Sequence, residues 1–402
     1  MMNSILNVVG DVNFDDTIID FEWHSHKPYS SNSFKNSDEI RIPVHQQDIF
    51  TLTCESYLLL EGKIVKSSDG TDDTTTELIS NAPAFFFEEI RLEFNGSEVD
   101  RVKNVGISTT MKNILTARPS DAHWMDNAGW NITDMTSRKE KTSFSFCVPL
   151  KLLLGFAEDY NKIILGVKQE LILLRSSTDK NAIVQGAANV HDCRIELTNI
   201  VWRIPYVSVE SSVKLSLLKI IERDQPIKIA FRKWQLFEFP VLPRNKFQTW
   251  TIKTSSMLEK PRYSTFGLQT NRKDNASKIA SHFDFCDIQN IKLYLNGKYY
   301  PYDNYNGKKA IIYRDYCSFQ SSYFDNSDNQ PCLDKETYFA KTPLVVIDCS
   351  KQEDSLKTGS LDVRMEIETK EDVPENTAAY CLLISESLIE YTPLSGTVRK
   401  IM

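Results

Sequence analysis

Glu89-Ile-Arg-Leu-Glu-Phe-Asn-Gly96 has a counterpart 201 residues further on, Asn290-Ile-Lys-Leu-Tyr-Leu-Asn-Gly297. Both copies alternate apolar and polar side chains, the period of a strand with one buried face. Both end in Asn-Gly, which accepts the positive φ angles of a type I′ turn, so each reads as a strand entering a two-residue hairpin. In a chain of 402 residues this offset is half the length, and it predicts two similar β-rich halves. The surroundings of the first copy, Ala84 to Leu115, repeat as well. After the turn the period lengthens to 3.6, with Met111, Ile114 and Leu115 on one side of a helix that Ser108 or Thr109 would cap, ahead of Pro119. Behind the second copy, Tyr299 and Tyr300 follow the turn, and Ile312, Tyr313, Tyr316 and Phe319 recur at helical spacing. A third pair of markers closes each half: Cys193 to Pro205 and Cys381 to Pro393, at an offset of 188.

Length and composition agree with two domains of roughly 200 residues each. Hydrophobic residues make up 41 % and charged residues 25 %, as in a soluble globular protein, and 21 Phe with 16 Tyr favour strands over helices. The fold class expected is all-β. A net charge of -7 argues against a surface built to grip nucleic-acid phosphates. Asp11, Asp15, Asp16, Asp20, Glu22, Asp38 and Glu39 make the first forty residues acidic. No basic region precedes the short apolar run Ile5 to Val9, and no stretch approaches the roughly 18 apolar residues of a membrane span. The expectation is a soluble protein made in the cytosol. Eight cysteines (Cys54, Cys147, Cys193, Cys286, Cys317, Cys332, Cys349 and Cys381) are far apart and mostly inside apolar runs, so they read as buried free thiols.

Residues 1–40 show no sustained period and read as an arm. Within it Glu22, His24 and His26 could ligate a metal, but exposed segments meet so minimal a pattern often. Strand-grade runs start beyond Arg41: Phe50 to Cys54, Tyr57 to Leu60, Ile64-Val65, then Phe144 to Leu150, Ile163 to Val167 and Leu171 to Leu174. Ser67 to Thr76 is a polar loop whose acids miss the spacing of a calcium-binding loop. Ser211 to Glu222 reads as a linking helix with Leu215, Leu218 and Ile221 on one face, ended by Pro226. Strands resume through Ile227 to Phe239, Trp250-Thr-Ile252 and Phe266 to Leu268.

Catalytic signatures are missing: nothing matches GxSxG, HExxH, a phosphate-binding glycine loop or GxGxxG. The six histidines (His24, His26, His45, His123, His191 and His282) are scattered. Glu88 and Glu89 are adjacent on a strand and would point to opposite faces, so they cannot flank one bond. Arg262 to Phe266 with Asn271, Arg272 and Lys273 could bind single-stranded nucleic acid, although a strand followed by a polar turn accounts for the same residues. Asn95, Asn131 and Asn275 sit in glycosylation-type triplets, which mean little without a secretory signal. No catalytic, cofactor-binding or metal-binding residue is therefore assigned, and the chain reads as a non-enzyme. Two antiparallel sandwiches expose strand edges, and assembly with copies of the same chain is one way to cover them.

Several segments carry a family resemblance: Gln46 to Leu52; Glu89 to Gly96 with Asp100-Arg101 and Asn104-Val-Gly106; Asn127-Ala-Gly-Trp130; Pro149 to Phe156; and Leu258 to Tyr263 with Leu268 to Lys273. They resemble major capsid proteins of Polinton/Maverick-like and adintovirus-like double-stranded DNA viruses of invertebrates, over most of residues 41–396. The resemblance implies a double jelly roll, two eight-stranded sandwiches side by side. It also implies homotrimers of pseudo-hexagonal outline that tile an icosahedral shell around double-stranded DNA, with a separate penton or minor capsid protein. The protein would reside in the virion, would touch packaged DNA without sequence-specific contact, and would need no cofactor. The expected divisions are an arm at 1–40, a first jelly roll at 41–207, a helical linker at 208–228, a second jelly roll at 229–396 and a tail at 397–402. A tandem β-sandwich that binds carbohydrate or a receptor is the alternative from another functional class.

Overall fold

The computed structural model describes residues 17–29, 34–44, 50–139, 143–186, 190–253, 261–351 and 362–401. Strands of the first half are β1 (Ile18–His26), β2 (Glu39–Val44), β3 (Phe50–Thr51), β4 (Tyr57–Lys66), β5 (Glu77–Leu78), β6 (Phe87–Phe94), β7 (Ser97–Lys103), β8 (Phe144–Pro149), β9 (Gln169–Arg175), β10 (Ile183–Val184) and β11 (Cys193–Val209). Those of the second are β12 (Ile227–Phe239), β13 (Phe247–Lys253), β14 (Pro261–Thr270), β15 (Ile288–Leu295), β16 (Lys298–Tyr300), β17 (Val345–Asp348), β18 (Asp362–Thr369), β19 (Thr377–Tyr391) and β20 (Val398–Lys400). The connections hold short helices: α1 (Ala82–Phe85), α2 (Val105–Thr116), α3 (Ala122–Asn127), α4 (Gly155–Asp159), α5 (Ser211–Glu222), α6 (Lys309–Phe324) and α7 (Lys335–Lys341).

Four antiparallel sheets carry the fold. Sheet 1 runs β1-β11-β4-β8 and sheet 2 runs β2-β9-β6-β7; sheet 3 runs β12-β19-β14-β17 and sheet 4 runs β13-β18-β15-β16. Counting the eight strands of each unit in chain order, both units read 1-8-3-6 and 2-7-4-5. That interleaving of two four-stranded sheets is a jelly roll, and it occurs twice. The all-β double jelly roll with short helices in its connections is thus the observed architecture.

The duplicated hairpins occupy equivalent places. Asn95 and Gly96 have φ of 50° and 80°, and Asn296 and Gly297 have 47° and 86°. Both central residues are left-handed in each turn, as type I′ requires. The strands flanking them pair Phe94 with Ser97 and Leu295 with Lys298. Cys193 to Pro205 lies within β11 and Cys381 to Tyr391 within β19, the eighth strands of their units, with Pro393 just past the end of β19. Of the runs read as strands, Ile163 to Val167 contributes only an isolated bridge between Ile164 and Thr51.

Three local expectations need correction. First, residues 1–40 contain a full strand of sheet 1, since β1 pairs with β11 from Ile18–Val209 to His26–Trp202. Its inward positions are polar: Glu22, His24 and His26 pair with Tyr206, Ile204 and Trp202, while Phe21 and Trp23 point outward. A strand at the sandwich rim tolerates that inversion, and it hides the usual pattern. Residues 1–16 and 30–33, with Asp11, Asp15 and Asp16, lie outside the described residues, as do His45 and residues 46–49 and 258–260. Second, α2 starts at Val105, after Asn104 in a left-handed conformation. Ser108 and Thr109 lie inside the helix, their hydroxyls bonded back to the carbonyls of Lys103 and Val105 (2.7 Å each). Third, α5 is seated by Leu217, Ile220 and Ile221 against Phe50, Leu165 and Val207, so Leu215 and Leu218 face outward.

The second unit has its own core between sheets 3 and 4, including Phe266, Leu293, Met365 and Cys381. The first unit's core does not stop at the first unit. It includes Trp130, Phe146, Leu173 and Trp202, and it continues through Phe231, Trp234, Tyr263, Leu382 and Ile384 of the second. All eight cysteines are free thiols; Cys54, Cys193, Cys349 and Cys381 are buried and the others partly so.

Candidate assembly surfaces

Strand β12 is the edge of sheet 3, and the first unit closes over it. Helix α4 and strand β7 lie along β12. The Asp159 carboxylate accepts the backbone N–H of Arg232 (2.7 Å) and its Nε (2.9 Å), and also meets Nη2. An edge amide that would otherwise invite another strand is thereby satisfied. Gly155 permits this approach: a Cβ there would lie 1.8 Å from the Arg232 carbonyl oxygen. Phe156 packs edge-on against Phe231 (5.5 Å between ring centroids) and Phe94 (5.4 Å). From Ala379 to Ile384 the two faces of β19 divide: Ala379, Cys381 and Leu383 belong to the second unit's core, whereas Tyr380, Leu382 and Ile384, on the opposite face, belong to the core shared with the first, which Ile389 and Tyr391 further along the strand also join. The outer face of sheet 3 is therefore an internal surface of the molecule.

Charges cross this seam in buried positions. Helix α2 is buried along its whole length, and Lys112 sits in its middle. The Lys112 ammonium bonds to one oxygen of Glu158, whose other oxygen accepts the Tyr323 hydroxyl (2.7 Å). Lys112 Nζ also lies 4.6 Å from the Trp234 ring centroid. Arg232 stacks on Tyr323 at 3.6 Å. Burial pulls Lys112 below its ordinary value, with Glu158 opposing it. Burial acts the same way on Arg232, but its bonds to Asp159 outweigh that and raise it. On β7, burial raises the Asp100 carboxyl against the opposing Phe156 N–H (3.0 Å) and the charge of Lys233. Such a network specifies one placement of the two units, because any other leaves a buried charge unpaired. Further bonds extend it: Gln320 Nε2 to the Ala117 carbonyl (2.8 Å), Asn181 Nδ2 to Asp274 (2.9 Å) and His282 Nε2 to the Met135 carbonyl (2.8 Å).

The residues singled out in the sequence take structural roles. Glu22 and His24 bond to each other (3.0 Å), His24 stacks on Tyr206, and His26 bonds to the Tyr206 hydroxyl (2.9 Å). Among the described residues no group of three His, Cys, Asp or Glu side chains is placed to hold a metal ion. Glu88 sits in a register irregularity between Phe87 and Glu89 in the pairing of β6 with β9, and Glu89 meets Arg91 (3.2 Å). In the Ser67 to Thr76 loop, burial would raise the Asp73 carboxyl, but bonds from Thr75, Thr76 and His191 hold it well below the usual carboxylate range. Tyr263, Ser264, Thr265 and Phe266 are buried in β14, Arg272 pairs with Asp284 (2.6 Å) and Lys273 with Glu238 (2.7 Å). That segment is a strand and a braced turn, with its aromatic rings turned away from solvent. Asn95 bonds to the Gly396 carbonyl (3.0 Å), Asn131 to Thr136 (2.6 Å) and Asn275 to the Asn271 carbonyl (3.0 Å). Lys112, Glu158, Asp159 and Arg232 were not legible as a set, being far apart in the chain. Lys112 shares its side of α2 with Ser108, Thr109 and Thr116, so no local pattern marked it.

Among the described residues, exposed aromatic rings cluster on the outer side of sheet 1 and beyond the second hairpin. On sheet 1, Phe21 and Trp23 of β1 are 42 % and 41 % exposed, and Trp23 packs on Tyr57 (5.2 Å) beside Leu59 and Cys147. Beyond the second hairpin, Tyr299 and Tyr302 stack (6.1 Å) and are 40 % and 82 % exposed. No helix among the described residues is long and apolar enough to cross a membrane.

A family model described as a double jelly roll-like domain matches residues 76–389. The chain belongs to this family. Among solved structures, this family member resembles a chain of the Sputnik virophage cryo-EM structure, with TM-score 0.64, 8 % identity, and coverage of 100 % of this chain and 92 % of that one. The major capsid protein of mavirus aligns with TM-score 0.59 and 12 % identity over 100 % of this chain and 93 % of its own. The Faustovirus major capsid protein gives 0.59 and 8 % over 96 % and 92 %. At these identities the likeness is one of fold. No curated protein matches the sequence.

Proposed function

We propose that this double jelly-roll chain is a structural major capsid protein that trimerises into pseudo-hexameric capsomers and builds an icosahedral shell around double-stranded DNA. The observation that carries the reading is the pair of sandwiches of identical connectivity, 1-8-3-6 and 2-7-4-5, locked by one continuous core. A rigid tandem of this kind offers six similar blocks per trimer, and a shell needs a unit that tiles. The full-length resemblance to the mavirus and Faustovirus major capsid proteins supports it. Within that reading the chain acts in the virion, alongside a separate vertex protein, holds DNA without sequence-specific contact, and carries no catalysis. A Polinton-like or adintovirus-like origin rests on the sequence segments alone. Size-exclusion chromatography with light scattering tests the proposal: trimers or larger particles are expected, and a persistent single chain of 46.2 kDa at every salt and concentration overturns it.

A further inference from the structure

The seam between the two sandwiches is not closed along its whole length. Beside the end of helix α1 it opens into a cleft of about 430 Å³, a volume within the about 300–1,000 Å³ usual for small-ligand sites. The second unit supplies Leu236 and Glu238 of β12, Gln269 of β14 and Tyr380 of β19. The first unit supplies Phe85, Glu88, Lys103 and the turn from Ser176 to Thr178 that follows β9. A molecule seated there touches both units at once.

Two polar groups on the sheet 3 side of this cleft have nothing to bond to. Tyr380 is 2 % exposed and Gln269 3 %. Tyr380 pairs with Gly267 and Gln269 with Ala378, two positions apart along each strand, so both side chains stand on one face of the sheet. The Gln269 Nε2 donates to the carbonyls of Ala280 and His282 (2.7 Å each), which fixes the amide and leaves Oε1 free. Neither Oε1 nor the Tyr380 hydroxyl has a hydrogen-bond partner among the described residues, and neither is sealed in the packing as the Tyr391 hydroxyl is. Both residues line the cleft. Burial raises the Tyr380 phenol, and the charges of Glu238 and Asp274 raise it further, so it remains a donor at neutral pH. A ligand that bonds to such groups relieves the cost of leaving them unpaired.

Charge narrows the class of ligand. The ionised side chains lining the cleft are Glu88, Glu238 and Asp274 against Lys103 and Lys273. Lys273 already bonds to Glu238 (2.7 Å). Asp274 is held by Asn181, whose Nδ2 donates to its carboxylate (2.9 Å) and whose Oδ1 accepts its backbone N–H (2.7 Å). An anion therefore meets no excess of positive charge, and a cation competes with Lys273 for the same carboxylate. Among the described residues no three acids, thiols or imidazoles are placed to hold a metal ion. Carboxylate and amide acceptors beside a phenol donor, with Phe85 and Leu236 as apolar wall, suit neighbouring hydroxyls, each of which both donates and accepts.

We propose that this cleft binds a neutral polyol of monosaccharide size, held by the Tyr380 hydroxyl and Gln269 Oε1 and bridging the two jelly rolls. The site lies within one chain, so it stands apart from how chains assemble.

Saturation-transfer NMR on the full-length protein tests it with D-glucose, N-acetylglucosamine and myo-inositol as neutral probes and spermidine and citrate as charged ones. Transfer is expected to at least one neutral probe and to neither charged one. Tyr380→Phe removes only a hydroxyl that no protein group uses, so ligand-free melting should match the wild type while affinity for the neutral probe falls about fivefold. Ser177→Trp, at an exposed position on the first-unit side, obstructs the cleft without touching a core and should abolish transfer; this arm stands even where Tyr380→Phe fails to fold. No transfer to any neutral probe, transfer to spermidine or citrate alone, or transfer that Ser177→Trp leaves unchanged would overturn the assignment.

Discussion

Lys112→Met tests the seam most severely among single substitutions. The Lys112 side chain is 2 % exposed and that of its partner Glu158 is 14 % exposed, so both charges are held largely out of water. Methionine fills nearly the same volume but leaves the Glu158 carboxylate with the Tyr323 hydroxyl as its remaining bonded partner. Removing one member of a buried pair costs about 3–5 kcal/mol, because the other charge stays buried without compensation. Glu158→Gln should cost a similar amount by stranding the ammonium. The double variant leaves neither charge behind, so it should fall short of the summed losses by about 2 kcal/mol or more. Urea unfolding followed by fluorescence measures all four proteins. The shared core further predicts that wild-type unfolding is a single transition for both units. Single-variant losses under about 0.5 kcal/mol, or strict additivity in the double variant, would refute the seam as a coupled charged network.

Other perturbations probe separate links. Gly96→Val should destabilise by about 1–3 kcal/mol, since φ is +80° and a Cβ there has open space, leaving backbone strain as the whole effect; unchanged melting would count against the turn. Gly155→Ala, whose Cβ would meet the Arg232 carbonyl, should cost about 1–3 kcal/mol and loosen the seam, read as faster hydrogen exchange along β12; wild-type exchange would contradict the close approach. Burial lowers His282 to about 4, against the bond to the Met135 carbonyl. Its folded value lies below the unfolded value of about 6.5, so its contribution is complete above about pH 6.5 and drains away as pH falls toward 4. His282→Gln should flatten that slope in pH-dependent melting, and an unaltered slope would place the titration elsewhere. Because every cysteine is a free thiol, reductant should leave the melting temperature unchanged, and a drop would reveal a disulfide.

The sequence carried the elements whose residues repeat a local rule. Asn95-Gly96 and Asn296-Gly297 announce hairpins because few other pairs accept two successive positive φ angles, and finding them at one offset exposed the duplication. Helix α6 was legible because Ile312, Tyr316 and Phe319 keep a 3.6 period, Ile312 facing the second unit's own core and the other two the shared one. Strand β1 was missed although Phe21 and Trp23 alternate with Glu22 and His24. Its apolar side faces out and its polar side in, so the pattern reads as an exposed arm rather than a sandwich wall. The face of α5 was misassigned for a related reason: Leu215 and Leu218 are no less apolar than Leu217 and Ile221, and only the position of Phe50 and Val207 decides which are covered. The seam was out of reach. Lys112, Glu158, Arg232 and Tyr323 meet through the packing of two whole domains, and no spacing in the chain encodes that.

Electron microscopy of the purified full-length protein tests the central claim most directly. The account predicts capsomers of pseudo-hexagonal outline, built from three chains and six sandwiches, and closed shells once vertex protein is supplied. Dispersed two-lobed single chains under every condition, with or without vertex protein, would contradict it.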